Sequence, residues 1–392
     1  MAAGRVLCVI PAYNESPESV YACVRAVLAQ TVPVDIVVVD DGSALPVRSV
    51  PHPRVHWLRQ ENTGKRGAQT AVLRRYPPGA YAFVLTVDSD SAPRPDALEH
   101  LLRAMADPRV QAATGMLEVR NYRDSVVAWA ADLDIGMSCV LRRTAGSVLG
   151  SLETTSGALA LYRADLLYDH LDEYGVDCPT GDDRWLTLRA LRRGQVVGVA
   201  EAVVETDMPA TLRATYGQRL RWARSWWWAL PYVFANLAVH QLLIPAYGLV
   251  QSVLAPLVTG WAVLGAVAAA GGHGDLPLWT IGGYALAYTT VQYGLSALYL
   301  LGRRGMPTRD KWTSWLVGTA AAMLLNVCWI VPIRYVALFR LRDNRWHNRE
   351  AAGRAGRRRA ARRRVVRPGG RLPDNPGRWL PTATLDPRET PT

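Results

Sequence analysis

The stretch VLCVIPAYNESPESVYACVRAVLAQTVPVDIVVVDDGS, residues 6–43, decides the fold. Val6–Ile10 is an unbroken apolar run of strand length, the signature of a strand covered on both faces. A helix follows from about Pro17 to Ala29, and Asp35–Val39 is a second strand of the same kind. Working outward, the pattern continues with a strand over Arg54–Leu58, a helix over Lys65–Arg75, a strand over Tyr81–Val87, a helix over Pro95–Ala106 and a strand over Val110–Thr114. Strands alternating with helices predict an α/β fold with a mostly parallel sheet between helical layers. Such sheets bind ligands beyond the carboxyl ends of their strands. The polar clusters fall there: Asn14-Glu15, Asp40-Asp41-Gly42-Ser43 and Asp88-Ser89-Asp90.

Beyond residue 225 the composition changes. Trp226 to Gly272, Leu276 to Gly302 and Trp312 to Ile333 contain no Asp, Glu, Lys or Arg. Each can hold the roughly 20 apolar residues that cross a bilayer. A buried core helix could be equally apolar, but three such stretches in one half of the chain predict membrane. Met1 to Arg5 lead straight into the first strand with no apolar leader, so the first half is expected to stay in the cytosol. The five cysteines, Cys8, Cys23, Cys139, Cys178 and Cys328, are scattered and predict neither a zinc site nor a disulfide framework. Much of the net charge of +12 lies in the arginine-rich tail. A basic block beside membrane helices predicts contact with anionic lipid. No nucleic-acid recognition fold accompanies it, so no nucleic-acid partner is expected. The expected organisation is a cytosolic catalytic domain over 1–210, interfacial helices over 211–240, transmembrane helices over 241–341 and a basic tail over 342–392.

Five clusters carry chemistry. Asp88 and Asp90 at a strand-to-loop corner can hold one hard cation, Mg2+ or Mn2+, together with diphosphate oxygens. As a bare pattern, Asp-x-Asp is common in turns. Asp40 and Asp41 can cap the next segment, or offer a carboxylate to the N3–H of a uracil, with Tyr13, Asn14 and Glu15 close by. Lys65 and Arg66 either start a solvated helix or reach a donor's phosphates. Gly181-Asp182-Asp183-Arg184 can be a helix cap. It can equally be a carboxylate that takes a proton from an attacking sugar hydroxyl, with Arg184 orienting the region. Gln218, Arg221, Trp222 and Ser225 share one helix face. That face fits an interfacial helix, or a platform with Trp222 under an acceptor sugar and Arg221 on the diphosphate.

Taken in order, these motifs resemble the processive, inverting family-2 glycosyltransferases of GT-A fold, and among them hyaluronan and chitin-oligosaccharide synthases. The resemblance runs from about Val6 to Glu350 and rests on VVVDDGS, NTGKRGAQTAVLR, TVDSDSAPRPDAL, SGALALYR, GDDRWLTLRAL and QRLRWARS. It implies a UDP-sugar donor held by Asp40, Asp41 and Lys65, a metal and donor site at Asp88 and Asp90, Asp183 as general base beside Asp182, and an acceptor and diphosphate site shaped by Gln218, Arg221 and Trp222. It also implies a growing β-linked glycan as acceptor, at a multi-pass cell-membrane enzyme. Transfer of one sugar to a polyprenyl phosphate, or an inactive transport or scaffold protein, are the rival expectations. The chain departs from the hyaluronan-synthase pattern at Ser156-Gly157-Ala158, at Gln218-Arg219, at Trp226-Trp227-Trp228 and at Trp346-His347-Asn348-Arg349. Keeping the arginine-rich tail in the cytosol requires the last apolar segment, about Trp312–Leu341, to fold back as a hairpin, with Asn326 and Pro332 as breaking points.

Overall fold

A computed structural model describes residues 4–176, 181–272 and 278–341; the tail, Trp346–Arg349 and Cys178 lie outside them. All seven residues of strand β1 (Val6–Ala12) are buried. Because strand side chains alternate, Cys8 and Ile10 join one core and Leu7 and Val9 the other. Helices cover both faces, which is why the strand needs no polar side.

The remaining strands are β2 (Asp35–Asp41), β3 (Val55–Gln60), β4 (Phe83–Thr86), β5 (Ala92–Pro93), β6 (Val110–Val119), β7 (Ala160–Arg163) and β8 (Gln195–Thr206). They form one sheet in the order β3-β2-β1-β4-β7-β6-β8-β5. The first four are parallel, as expected. β7 then runs antiparallel to both β4 and β6, and β5 antiparallel to β8. The sheet is therefore mixed.

Register sets the site. Ala12 stands opposite Asp40, and Asp41 opposite Gln60. Val9 stands opposite Thr86, and Thr86 opposite Ala160. The carboxyl ends of β1, β2 and β4 thus meet the incoming end of β7. Asp40 and Asp41 are the last residues of β2, not part of the turn after it.

The first charge-free stretch is split between two helices. Trp226 to Asn236 complete the helix Leu212–Asn236, whose Ala229 and Val233 pack into the second core. Two described helices are long and apolar enough to span a bilayer, Val239–Ala270 and Thr308–Phe339. The 25-residue helix Leu278–Gly302 lies between them. The expected hairpin does not form. Thr308–Phe339 runs on through two π-helical turns, Ser314–Gly318 and Asn326–Ile330. Asn326 begins the second π-turn, and Pro332 follows directly after that turn, inside the continuous helix.

Polar pairs dock this region onto the sheet domain through the helix Val126–Ser138. Buried Asp132 accepts the Val119 N–H at 3.2 Å and the Tyr299 hydroxyl at 2.8 Å, and pairs with Arg303. Trp129 Nε1 donates to Ser314 Oγ at 2.6 Å. Among the described residues Cys8, Cys23 and Cys139 are buried free thiols, while Cys328 is exposed.

Candidate active site

The turn after β1 is shaped by Asn14, which adopts a left-handed backbone (φ 54°). Its N–H donates to Ser43 Oγ and its Oδ1 accepts the Ala44 N–H, both at 2.9 Å. That ties the Tyr13-Asn14-Glu15 turn to the one after β2. Asp40 and Asp41, both buried, already have partners. Asp40 accepts the Ser43 and Val47 N–H groups and pairs with Arg59. Asp41 accepts the Thr63 N–H at 2.9 Å and the Gly64 N–H at 2.8 Å, and Gln60 Nε2 at 2.8 Å. It thereby holds the start of the helix Gly64–Leu73, one residue before Lys65.

Lys65 is the centre of the arrangement. Its Nζ lies 2.8 Å from Asp88 Oδ1 and 3.0 Å from Asp182 Oδ2, and its side chain is 7% exposed. Residues from three separate motifs therefore converge on one ammonium. Burial pulls its pKa down, but Asp182, Asp88 and Asp183 together reverse this and hold it well above the ordinary lysine value. Gly157, just ahead of β7, is the wall of this cluster. A Cβ there would stand 2.7 Å from Lys65 Nζ and 2.9 Å from Asp88 Oδ2. Gly157→Ala is expected to push the ammonium off Asp88 and lower activity about 10- to 100-fold, a loss of ~1.4–2.7 kcal/mol in the reaction barrier. Circular dichroism would report an unchanged fold; full activity would contradict the contact.

Asp182 and Asp183 open the helix Asp182–Arg193 after Gly181, which holds a left-handed φ of 75°. Two acids in the first turn favour the helix electrostatically. Their environments differ. Asp182 is opposed by burial but held below the carboxylate range by Lys65. Asp183 is pushed up to about 7, first by burial and then by the neighbouring Asp182 charge. Its Oδ2 accepts the Gly157 N–H at 3.2 Å. Its backbone carbonyl accepts the hydroxyls of Thr187 at 2.6 Å and Thr155 at 3.3 Å.

Arg184 reaches the carbonyl of Glu153, at 3.4 Å. Glu153 is largely enclosed and its pKa is lowered: burial opposes this, while Arg142 (2.7 Å), Arg184 and the Trp226 indole (2.9 Å) outweigh burial. Sequence reading gave no signal for Glu153 or Thr155, because their partners come from other elements. The helix Leu212–Asn236 packs close by. A Cβ on Gly181 would collide with Ser225 Oγ at 1.9 Å. Ser225, the last residue of the face predicted with Gln218, Arg221 and Trp222, thus abuts the residue before the acid pair. Gln218 Nε2 lies 3.7 Å from Met208 Sδ, and Trp222 is 41% exposed. Asp90 accepts the Ser91 hydroxyl at 3.2 Å, on the same corner as Asp88.

Residues 3–225 match the profile of the family described as glycosyltransferase like family 2. The chain belongs to glycosyltransferase family 2. An N-acetylglucosaminyltransferase of Bradyrhizobium diazoefficiens is 30% identical over 87% of this chain and 71% of its own length. One from Mesorhizobium japonicum is 29% identical over 88% and 81%. A hyaluronan synthase of Streptococcus pyogenes is 34% identical over 56% of this chain and 57% of its own length. Among solved structures, a mannosyltransferase of Pyrobaculum calidifontis, in complex with GDP-Man and Mn2+, aligns with a TM-score of 0.53 at 21% identity, over 83% of this chain and 87% of that one. That likeness supports the GT-A fold. In this glycosyltransferase the acidic residues singled out in the sequence lie at or just beyond the carboxyl ends of β1, β2 and β4 and at the start of the helix Asp182–Arg193.

The residues present fit a divalent metal. Asp88 and Asp90 are hard oxygen donors on one corner, and Mg2+ or Mn2+ is commonly held by one or two carboxylates plus substrate phosphates. Among the described residues no set of three or more His, Cys, Asp or Glu side chains is gathered for a metal, so the substrate's own oxygens must complete such a site.

Proposed function

We propose that this glycosyltransferase moves a sugar from a UDP-sugar to a growing β-linked glycan at a membrane, in one inverting displacement. The observation that carries the reading is the contrast within the acid pair: Asp182 kept ionised by Lys65, Asp183 pushed up to about 7. A base poised near neutral pH suits removal of a proton from a sugar hydroxyl. One base suffices, because direct displacement forms no sugar–enzyme intermediate, in parallel with inverting glycosidases.

In this reading Asp183 takes the acceptor proton, the Gly157 N–H holds its carboxylate and the Thr187 hydroxyl holds its backbone carbonyl. Lys65 would contact the donor's diphosphate, and Asp88 with Asp90 would hold a divalent metal that offsets charge on departing UDP. Asp40, Asp41, Tyr13, Asn14 and Glu15 form the nucleoside side. Arg221 faces the diphosphate, and Trp222 and Gln218 the acceptor. N-acetylglucosamine is the first donor sugar to test, from the names of two relatives. The two long apolar helices support an integral membrane protein, and this reading puts the sheet domain on the cytosolic side.

The test is to offer purified protein a panel of UDP-sugars, with Mg2+, Mn2+ or a chelator, and to size the products. Polymer from UDP-N-acetylglucosamine that stops on chelation is expected. A product one sugar longer on a polyprenyl phosphate would replace this reading with the lipid-acceptor one. No UDP release from any donor would defeat both.

A pH dependence follows. Asp183 acts only when ionised, so transfer should rise as pH increases through about 7. A kcat/KM flat between about pH 5.5 and about pH 8.5 would contradict the assignment.

A further inference from the structure

Arg219 has no part in the catalytic reading. It stands three residues before Trp222 on the helix Leu212–Asn236, a spacing that brings side chains together. Its guanidinium carbon lies 4.8 Å from the Trp222 ring centroid, within cation–π range. The same group is 2.8 Å from Asp134 Oδ2, and the two side chains are only 10% and 16% exposed. Asp134 also accepts Asn326 Nδ2 at 3.1 Å. Asn326 begins the π-turn Asn326–Ile330 of the second long apolar helix. The chain of contact therefore runs from that helix through Asp134 and Arg219 to the indole. One face of Trp222 is backed by a fixed planar cation, while the residue keeps 41% of its surface exposed.

We propose that Arg219, held by Asp134 and Asn326, is a positioning residue that fixes Trp222 as a one-sided stacking platform for the acceptor sugar. This rests on the reading above that puts the acceptor at Trp222. An indole that must choose a rotamer on binding loses entropy at that step; one already held does not. Arginine suits the role because its guanidinium is flat and can stack while still pairing with a carboxylate, whereas a lysine ammonium is a point charge. The link to Asn326 ties the platform's orientation to the register of the apolar helix.

The test uses the full chain in detergent, with chitotetraose as the acceptor probe and UDP as the donor-side probe, both measured by calorimetry. Arg219→Gln and Asp134→Asn are expected to weaken chitotetraose binding about 10-fold, ~1.4 kcal/mol. UDP affinity should stay within about 2-fold of the parent, and in turnover the loss should appear in acceptor KM more than in kcat. Arg219→Lys should recover only part of the affinity. Unchanged chitotetraose binding in the Gln and Asn variants, full recovery by lysine, an equal fall in UDP affinity, or no binding by the parent would each overturn the proposal. A parent that binds chitotetraose in an Arg219-dependent way yet releases no UDP would keep the platform and defeat the proposed function instead.

Discussion

Asp183→Asn is expected to cut sugar transfer by about 1,000-fold or more, within the span usual for loss of a positioned base, while UDP affinity changes little. The amide keeps the shape and can still accept the Gly157 N–H, so the loop before β7 should stay in place. It cannot take a proton. The swap also removes one of the charges that crowd Asp182, so the fold should not suffer. Two measurements decide it: initial rates of UDP release with acceptor present, and UDP binding by calorimetry. A parallel fall in both would make Asp183 a donor-site residue. Transfer within about 10-fold of the parent would remove it from the chemistry.

Lys65→Met should have the second largest effect, and it acts on stability as well as turnover. The methionine fills similar space but leaves Asp88, Asp182 and Asp183 gathered around no cation. Removing one partner from a buried ion pair typically costs about 3–5 kcal/mol. Asp88 is about a third exposed and screened by water, so the lower figure is the better guide here. The sign with pH is fixed by the roles of the groups. Lys65 lowers the pKa of both Asp182 and Asp183, so without it both rise. The deficit in stability should therefore be largest at high pH, where the acids are ionised, and shrink as pH falls and they protonate. By the same logic the acid limb of the rate profile should move to higher pH. Thermal unfolding at about pH 5 and about pH 8 tests the first statement. Equal deficits at the two values would show that the ammonium does not compensate these carboxylates.

The residues that make up the acid pair, the Asp-x-Asp corner and the Gln-x-x-Arg-Trp face were legible in the chain because each is a local pattern. Asp88 and Asp90 follow an apolar run, Asp182 and Asp183 precede a helical one, and Gln218 to Ser225 obey helical spacing. What each residue touches was not legible. Lys65 read as a group aimed at phosphate, yet in the fold its nearest partners are Asp88 and Asp182. Asp41 read either as a cap of the next segment or as a nucleoside contact; in the fold its oxygens hold the backbone of Thr63 and Gly64. Glu153 carried no motif, and gains its meaning from Arg142, Arg184 and Trp226.

The sequence by itself determined the α/β alternation, the polar turns at the strand ends, the helix that presents Trp222 and the apolar second half, because periodicity and composition are properties of neighbouring residues. Only the tertiary structure decided that β7 enters the sheet antiparallel beside β4, which carries Gly157 onto Lys65 and Asp88 and its N–H onto Asp183. It alone decided that the last apolar helix runs straight past Asn326 and Pro332. The physical reason is the same in both cases. Strand order, and whether a proline ends a helix or is carried inside it, depend on packing between segments far apart in the chain, which no window of neighbouring residues contains.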